Sequence, residues 1–438
     1  MSPFLSKNGD KDTQDIELLE CMRKIGKALL ATGSPVGVVE NTLIEIAEAY
    51  QRSCEIVALP NTLMIKLGNT YTGGISDFSV QKQESIFLNR VSAISVLIDD
   101  VKARRIPPRE ASEEIDRILS MSPRFSAWMR TVGYVIATVG LTLRFRPDPL
   151  VLLIVAGLGL LVALMVEYFN KRPRYNLLLP VTAAILVSAI IFNLTGRGVI
   201  YGTTNLIIPP LVIFLPGVIL TTGMIDLGSM NLISGSSRVI YGVANLFLLF
   251  VGISIGFSIS HLPTAQVYAY EAPVFSVFMP LIGTLLFGIG SFLRLSGSNR
   301  DLMWMLLVLY AAMFGQMLGE KIFNPYAGAF IGAAAMAFSS EYIGRSPHRT
   351  PAMVSQVMAF WFLVPGAIGL QSMTSLLTQD YRSAFVGLWE MVVLITSIAL
   401  GVFLGTLVIS PNKFILAKGY IEEPEPQKPS RFKFFRRK

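Results

Sequence analysis

The sequence predicts an α-helical integral membrane protein with about ten transmembrane helices, built as two inverted five-helix repeats behind a small cytoplasmic α+β domain. Three observations lead to this prediction. Hydrophobic residues make up 52% of the chain and charged residues only 15%, against about 25% charged in an ordinary soluble domain. The apolar stretches all follow residue 124, and short motifs recur along them. A chain of this composition must have the bilayer as its solvent for much of its length.

The first 124 residues are predicted to form the soluble domain. Residues 1–12 are polar and are expected to be disordered. The spacing of apolar residues predicts four amphipathic helices, over 16–30, 35–50, 91–104 and 108–120. Ser34 can cap the second helix, with Pro35 at its first position. Short strands are predicted over 54–59 and 62–67, and a third is expected to precede Asn89.

Several function classes lack their sequence signals. Cys21 and Cys54 are expected to be free cytosolic thiols, and His261 and His348 match no zinc spacing. The chain has no nucleotide-binding loop and no plausible Ser–His arrangement. No basic stripe with interleaved aromatic residues suggests nucleic acid. We therefore expect no enzyme activity, no cofactor, no bound metal and no nucleic-acid partner.

Ten apolar stretches follow Pro123. They cover roughly 127–145, 150–169, 176–193, 206–222, 238–258, 276–294, 302–318, 325–340, 355–375 and 385–409. Several are shorter than the ~20 residues that span a bilayer comfortably. The first five define one membrane repeat, residues 125–275, and the last five define a second, residues 276–410. The basic tail, residues 411–438, is expected either to bind anionic lipid headgroups or to be simply solvated.

Loop charges predict the orientation in the membrane. The first 30 residues lack a basic start followed by an apolar core, so the N-terminus is expected to stay inside. Inner segments would then carry Lys171, Arg172, Arg174, Arg238, Arg294, Arg300, Arg345 and Arg349. Outer segments would carry Arg144, Arg146, Arg197, Lys321 and Arg382. This modest excess of inner positive charge is consistent with both termini in the cytoplasm. We expect a multi-pass protein of the plasma membrane.

Three motifs recur 145 to 150 residues apart in the same order. They are Gly140-x-x-Leu143-Arg144 with Gly290-x-x-Leu293-Arg294, Leu215-Pro216-Gly217 with Val364-Pro365-Gly366, and Gly242-x-x-Asn245 plus Gly256 with Gly387-x-x-Glu390 plus Gly401. A duplicated unit of five helices must cross the membrane in the opposite sense the second time. Inverted repeats of this kind are a common plan of secondary transporters, because two similar halves can exchange conformations around a central site.

Motifs from most of the chain resemble the threonine/serine exporter family. They are Gly33-Ser34-Pro35, Val38-Val39-Glu40, the strands around Pro60, the segment 104–127, Leu215-Pro216-Gly217 through Asp226, Ser234-Gly235 with Arg238, Glu341 through Arg345, Thr350-Pro351-Ala352 and Val364-Pro365-Gly366. The resemblance implies a ten-helix exporter of threonine and serine, driven by protons. Family members commonly carry an acidic residue where this chain has Tyr241. Split two-chain relatives are associated with succinate export, so the resemblance leaves the substrate open.

The two Pro-Gly elements define the predicted substrate site. Proline removes a backbone donor, and glycine tolerates the resulting irregularity, so each helix is expected to break at mid-membrane. Free amides, carbonyls and half-helix dipoles can then hold an amino acid's charged groups. The candidate substrate-binding residues are Pro216, Gly217, Thr221, Thr222, Pro365, Gly366, Gln371 and Ser372. An ordinary kinked helix is the alternative at each position.

Proton coupling needs an ionisable group in the membrane. Glu390, inside the tenth stretch, and Asp226, after the fourth, are the candidates. Glu390 could instead reach water at the outer interface, and Asp226 could form a structural ion pair with Arg238. Glu167, beside Lys171, is expected to be an interface charge.

These observations favour a secondary active transporter that exports small neutral amino acids and is coupled to protons. A dicarboxylate exporter of the same architecture is one alternative. A membrane receptor or scaffold, whose soluble domain binds a partner, is another. The expected partners are a small-molecule substrate, protons, the lipid bilayer and a second copy of the chain in a homo-oligomer. Three Gly-x-x-x-Gly motifs, beginning at Gly252, Gly328 and Gly401, are expected to serve close helix packing.

Overall fold

The computed structural model describes residues 4–68, 75–80, 87–144, 148–200, 203–260, 278–346, 349–363, 365–378 and 380–410. Both histidines and the predicted basic tail lie outside this part of the chain. The described residues are mostly helical, with one small antiparallel sheet near the N-terminus.

The N-terminal unit combines four helices with a three-stranded sheet. Its elements are α1 (Phe4–Ala31), α2 (Val36–Ala49), β1 (Cys54–Leu59), β2 (Thr62–Leu67), β3 (Ile75–Val80), α3 (Leu88–Lys102) and α4 (Pro108–Ser120). The strands pair in the order β1-β2-β3. Each element was predicted from sequence, but α1 begins at Phe4, within the segment that was expected to be disordered. Extending a helix that is already nucleated adds a hydrogen bond for each residue fixed, which favours the longer helix.

One face of the sheet supports the core of this unit. Ile25, Leu43, Ile65 and Ile94 are buried within it. The alternate residues Val57, Met64 and Phe78 form one row across the three strands on the open face, where they are exposed.

Both cysteines belong to the N-terminal unit and are free thiols. Burial raises the pKa of Cys21 to about 12 and that of Cys54 to about 11. Both thiols are therefore protonated and poorly reactive at neutral pH.

Twelve longer helices follow in the described part of the chain. They are α5 (Ala127–Leu143), α6 (Pro149–Asn170), α7 (Leu179–Gly196), α8 (Thr203–Leu211), α9 (Gly217–Gly228), α10 (Leu232–Ser260), α11 (Phe278–Arg294), α12 (Asn299–Ile322), α13 (Pro325–Gly344), α14 (Ala352–Leu363), α15 (Pro365–Thr374) and α16 (Tyr381–Ile409). Each of the ten predicted apolar stretches falls on these helices, two of them on a pair of shorter helices.

Hydropathy identifies the described helices that suit a bilayer. Six helical stretches are long and apolar enough to cross it, and a seventh is added if the bent pair α8–α9 is one span. Helices α5 and α11 are apolar but have only 17 residues each. Large apolar side chains such as Leu153 and Phe385 are about three-quarters exposed, as expected for a lipid-facing surface. The protein is therefore a helical, multi-pass integral membrane protein.

Glycines bring several of these helices into backbone contact. A Cβ added at Gly133 would meet the carbonyl of Gly290, and one added at Gly140 would meet that of Gly283, so α5 and α11 touch directly. The three predicted Gly-x-x-x-Gly motifs also face neighbouring helices. Those on α10, α13 and α16 pack against α7, α12 and α13, respectively.

Candidate functional site

The first Pro-Gly element separates two helices that meet at an angle of 65°. Helix α8 contains Pro209 and Pro210, so the carbonyls of Asn205 and Leu206 lack their usual helical donors. A short 3₁₀ turn, Val212–Phe214, follows, and α9 begins at Gly217 directly after Pro216. This element is a true break, as the sequence predicted, because prolines remove donors on both of its sides.

The second Pro-Gly element lies between α14 and α15. Helix α14 ends at Leu363 and α15 begins at Pro365, while Val364 lies outside the described residues. Together the two helices and the turn that follows read as one apolar stretch, Ala352–Leu377. This second element contains a single proline, Pro365, at the start of α15.

Two side chains of α5 bind backbone carbonyls close to these elements. The hydroxyl of Tyr134 donates to the carbonyl of Pro210 at 2.8 Å. The guanidinium of Arg144 donates to the carbonyl of Phe362 at 3.3 Å and lies 4.8 Å from the centre of that residue's ring. Sequence reasoning assigned no role to Tyr134 and placed Arg144 in an outer segment. The Gly140-x-x-Leu143-Arg144 motif was the signal that could have pointed to α5.

The two interrupted stretches contact each other. Helix α15 packs against α8, α9 and α10. The amide of Gln371 on α15 lies 3.5 Å from the side-chain oxygen of Asn205 on α8. The chain thus brings both Pro-Gly elements into one region, although they are far apart in sequence.

The predicted substrate-binding residues differ in their environments. Thr221 and Thr222 on α9 are buried, and the hydroxyl of Thr221 has no hydrogen-bond partner among the described residues. Ser372 is buried and donates to its own helix at the carbonyl of Ile368, 2.6 Å away, whereas Gln371 is exposed. A buried hydroxyl without a partner is uncommon, so Thr221 is the member of this set with spare capacity to bind a ligand.

Asp226 and Arg238, the candidate structural ion pair, lie together in the structure. Their closest charged atoms are 3.2 Å apart, and both side chains are buried. Arg238 also donates to the carbonyls of Gly33 and Ser34, at 2.9 and 2.7 Å. Asp226 accepts the backbone amide of Val36 at 3.0 Å, at the N-terminus of α2. This ion pair therefore fastens the N-terminal unit to α9 and α10.

A second buried aspartate anchors the other side of the N-terminal unit. Asp301 accepts hydrogen bonds from the hydroxyls of Ser92 on α3, at 2.7 Å, and Thr350, at 2.8 Å. Next to it, the amide of Leu88 donates to the carbonyl of Leu295 at 2.9 Å. Sequence reasoning missed these contacts, because the bonded residues are 209 and 49 positions apart along the chain.

Glu390 and Glu167 have contrasting surroundings. Glu390 lies nine residues into α16, is half-buried, and has no ion-pair partner in the part of the chain that the structure describes. Glu167 contacts Arg130 and Arg294, each at 2.7 Å. The sequence associated Glu167 with Lys171, but its partners come from α5 and α11, which hydropathy alone could not bring together.

Two surface cavities lie away from the Pro-Gly elements. A groove of about 750 Å³ runs along α10 between Phe250 and Ile259. Another of about 360 Å³ lies on the open face of the N-terminal sheet, between Glu55 and Phe78. Neither is lined by a predicted substrate-binding residue. No group of three or more metal-ligating side chains occurs among the described residues.

Comparison with known proteins gives two matching family models. Residues 20–260 match the ThrE model and residues 276–408 match the ThrE_2 model, and both are described as threonine/serine exporter. The two matches together cover most of the N-terminal unit and the apolar helices.

Three curated relatives come from fungi. An uncharacterised protein of Schizosaccharomyces pombe is 27% identical over 53% of this chain and 32% of its own length. Pheromone-regulated membrane protein 10 is 24% identical over 53% of this chain and 32% of its own length in Eremothecium gossypii. In Candida albicans it is 25% identical over 52% and 21%, respectively. The chain thus spans about a third or less of each relative. No solved structure matches the chain.

Proposed function

Because the chain belongs to the threonine/serine exporter family, we propose that it is a secondary transporter that exports threonine, serine or related small neutral amino acids in exchange for protons. The observation that carries this proposal is the repeated packing of helices around two Pro-Gly elements. Repetition with opposite orientation provides two equivalent conformations, and alternation between them opens a central site to each side in turn.

The contact between α5 and α11 supports an inverted repeat. Gly133 meets Gly290, and Gly140 meets Gly283. Gly283 and Gly290 lie 150 residues after Gly133 and Gly140, so each contact maps onto the other when the two halves are exchanged. Reciprocal contacts of this kind are what a two-fold axis between equivalent elements produces.

Two further helix pairs, α7 with α10 and α13 with α16, make the same contacts at positions 149 residues apart. Gly252 and Gly256 pack against Val181 and Ile185 of α7. The four residues 149 positions later make the matching contacts: Gly401 and Gly405 pack against Phe330 and Ala334 of α13. This register favours Gly256 and Gly405 as counterparts, where the motif comparison aligned Gly256 with Gly401. At the same spacing the counterpart of Glu390 is Tyr241, the position where the family commonly has an acid.

The Pro-Gly elements follow the same spacing. Leu220 on α9 fills the space beside Gly242 on α10. At the corresponding positions Met391 on α16 fills the space beside Gly369 on α15. The large and small residues have changed places, but the contact is kept, which supports two related halves with distinct surfaces at the site.

The positions of helix ends support ten crossings with both termini on one side. The N-terminal unit contacts the end of α9, the start of α12 and the start of α14. At the end of α16, Ser410 donates to Glu341 at 3.2 Å, near the end of α13. These ends would all face the same side if the chain crosses at α5, α6, α7, α8–α9, α10, α11, α12, α13, α14–α15 and α16. We assign that side to the cytoplasmic face of the plasma membrane.

In this proposal the substrate lies where the two interrupted stretches meet. The unsatisfied Thr221 hydroxyl and the carbonyls released by prolines supply polar contacts inside an apolar bundle. Glu390 is the proton-coupling residue, because Asp226 is already held by Arg238 and by the amide of Val36.

Flux into vesicles tests the proposal. The purified protein is reconstituted, and uptake of labelled threonine is measured with and without an imposed proton gradient. The gradient should accelerate uptake, and unlabelled serine should compete for it. Uptake that ignores the gradient would contradict proton coupling. Preferential competition by succinate would favour the dicarboxylate alternative, and the absence of any flux would favour a receptor or scaffold.

A further inference from the structure

Arg144 is a cation at the second Pro-Gly element for which the described residues provide no counter-charge. Its guanidinium donates to the carbonyl of Phe362, near the end of α14. The ring of Phe362 lies against it, and that ring packs in turn on Phe287, with 6.0 Å between ring centres. One face of the guanidinium is therefore fixed, while its remaining N–H groups make no described hydrogen bond.

Arg294, the arginine at the corresponding position of the second repeat, has the acidic partner that Arg144 lacks. Arg294 lies 150 residues later and forms an ion pair with Glu167 at 2.7 Å. Shifted by the same 150 residues, the position of Glu167 becomes Met317. No acidic side chain lies within ion-pair distance of Arg144 in the described ranges. Two related arginines thus end equivalent helices, and only one of them has an internal partner.

Glu320 is an acidic residue near that position on α12. It lies one helical turn beyond Met317, and its carboxylate accepts a hydrogen bond from Gln316 at 2.7 Å. Arg144 directly follows α5 and is half-buried, and ionisable residues of membrane-spanning helices generally mark a substrate or ion pathway. The remaining N–H groups of this arginine are therefore available to an anion that binds reversibly.

We propose that Arg144 binds the carboxylate of the transported substrate. The planar guanidinium offers paired N–H groups that match a carboxylate, and such bidentate pairs give orientation as well as strength. This inference rests on the proposed transport function and deepens it. The substrate's carboxylate binds beside the carbonyl of Phe362, just before the second Pro-Gly element.

The inference is tested by replacing Arg144 in the protein and, separately, the carboxylate in the ligand. Binding of L-threonine and of L-threonine amide, which lacks the carboxylate, is measured calorimetrically for the wild-type full chain, for Arg144→Gln and for Arg197→Gln. The exposed Arg197 is the matched control. Arg144→Gln should weaken threonine binding about 10- to 100-fold, the range expected for losing a hydrogen-bonded charge. Binding of the amide should change less than about 2-fold by the same reasoning, and Arg197→Gln should bind both ligands like the wild type.

The outcomes separate the inference from the transport proposal. Equal losses for both ligands, or no loss for either, would overturn the role of Arg144, and retained amide binding shows that the variant folds. If the wild type binds succinate but not threonine, loss of succinate binding in Arg144→Gln still supports the inference while the amino-acid substrate is rejected. A wild type that binds no carboxylate would overturn both.

Discussion

At the scale of single residues, the buried charges have distinct tasks. Asp226 and Arg238 neutralise each other and hold the turn at Gly33 and Ser34. Glu390 has no such partner among the described residues. Removing one partner of a buried pair leaves an uncompensated charge and costs about 3–5 kcal/mol, so a charge already paired in this way is poorly suited to exchanging protons during transport.

Asp226→Ala should therefore destabilise the protein and loosen the N-terminal unit. The variant leaves Arg238 buried without its counter-charge and removes the acceptor of the Val36 amide. We expect a lower melting temperature and faster hydrogen exchange over residues 33–36. Asp148→Ala is the control, because Asp148 is exposed and makes no capping hydrogen bond. Unchanged exchange at this turn would mean that the ion pair does not hold the unit.

Glu390→Gln should abolish the pH dependence of flux without unfolding the protein. Glutamine keeps the size of the side chain but cannot exchange a proton. Threonine flux in vesicles is measured across a series of pH gradients, with the exposed Glu110→Gln as control. A variant that still responds to the gradient like the wild type would remove Glu390 from the coupling mechanism.

Replacing the half-buried carboxyl of Glu40 should stabilise the protein in a pH-dependent way. Burial raises the pKa of its carboxyl and the nearby Asp226 raises it further, although the amide of Ala58 donates to it at 2.8 Å. A raised pKa means that ionised Glu40 opposes folding as the pH rises past its ordinary value of 4.5. Glu40→Gln should raise the melting temperature at neutral pH, and the gain should vanish below that value. A gain independent of pH would contradict this reason.

At the scale of helices, glycine contacts decide which elements can touch. Backbone contact between α5 and α11 needs positions without a side chain, whereas Gly157 on α6 has open space around it. The contrast provides a matched pair, since both residues lie within apolar helices.

Gly140→Ala should destabilise the bundle, because its Cβ would overlap the backbone of α11. Overpacking of this kind costs about 1–3 kcal/mol. Gly157→Ala should instead be neutral or stabilise by up to about 1 kcal/mol through its helix propensity. Thermal unfolding of the two purified variants compares them, and equal behaviour would show that the contact at Gly140 yields easily.

At the scale of the whole molecule, the N-terminal unit joins the two halves. It binds α9 and α10 through the Asp226–Arg238 pair, and α12 through Asp301. Any motion that separates these helix ends on the side of the N-terminal unit must break one of these sets of hydrogen bonds. The unit is thus positioned to influence opening on its own side.

An inverted repeat predicts opposite locations for corresponding loops. Asp148 precedes α6 and Asn299 begins α12, and both are exposed. In a chain with Cys21 and Cys54 replaced by serine, we expect Asp148→Cys to react with a membrane-impermeant maleimide on intact cells. Asn299→Cys should react only after permeabilisation. Labelling of both positions from the same side would refute the inverted arrangement, and the cysteine-free chain measures background.

The elements of this protein were readable from its sequence, but their partners were not. The periods of apolar residues predicted the strands β1 and β2 and the helix α4 almost to the residue, because these patterns reflect local burial. Hydropathy identified all the apolar stretches for the same reason. It could not tell that Glu167 would meet Arg294, or that Asp301 would accept Ser92.

The amino-acid sequence by itself determined a helical membrane protein with a small α+β unit, its family and the positions of both Pro-Gly elements. Only the tertiary structure decided that the first element bends sharply, that Arg294 is neutralised while Arg144 is not, and that a buried ion pair fastens the N-terminal unit. Helix formation and membrane partitioning depend on neighbouring residues and their solvent. The pairing of buried charges depends on which distant helices pack together, and backbone glycines set that packing.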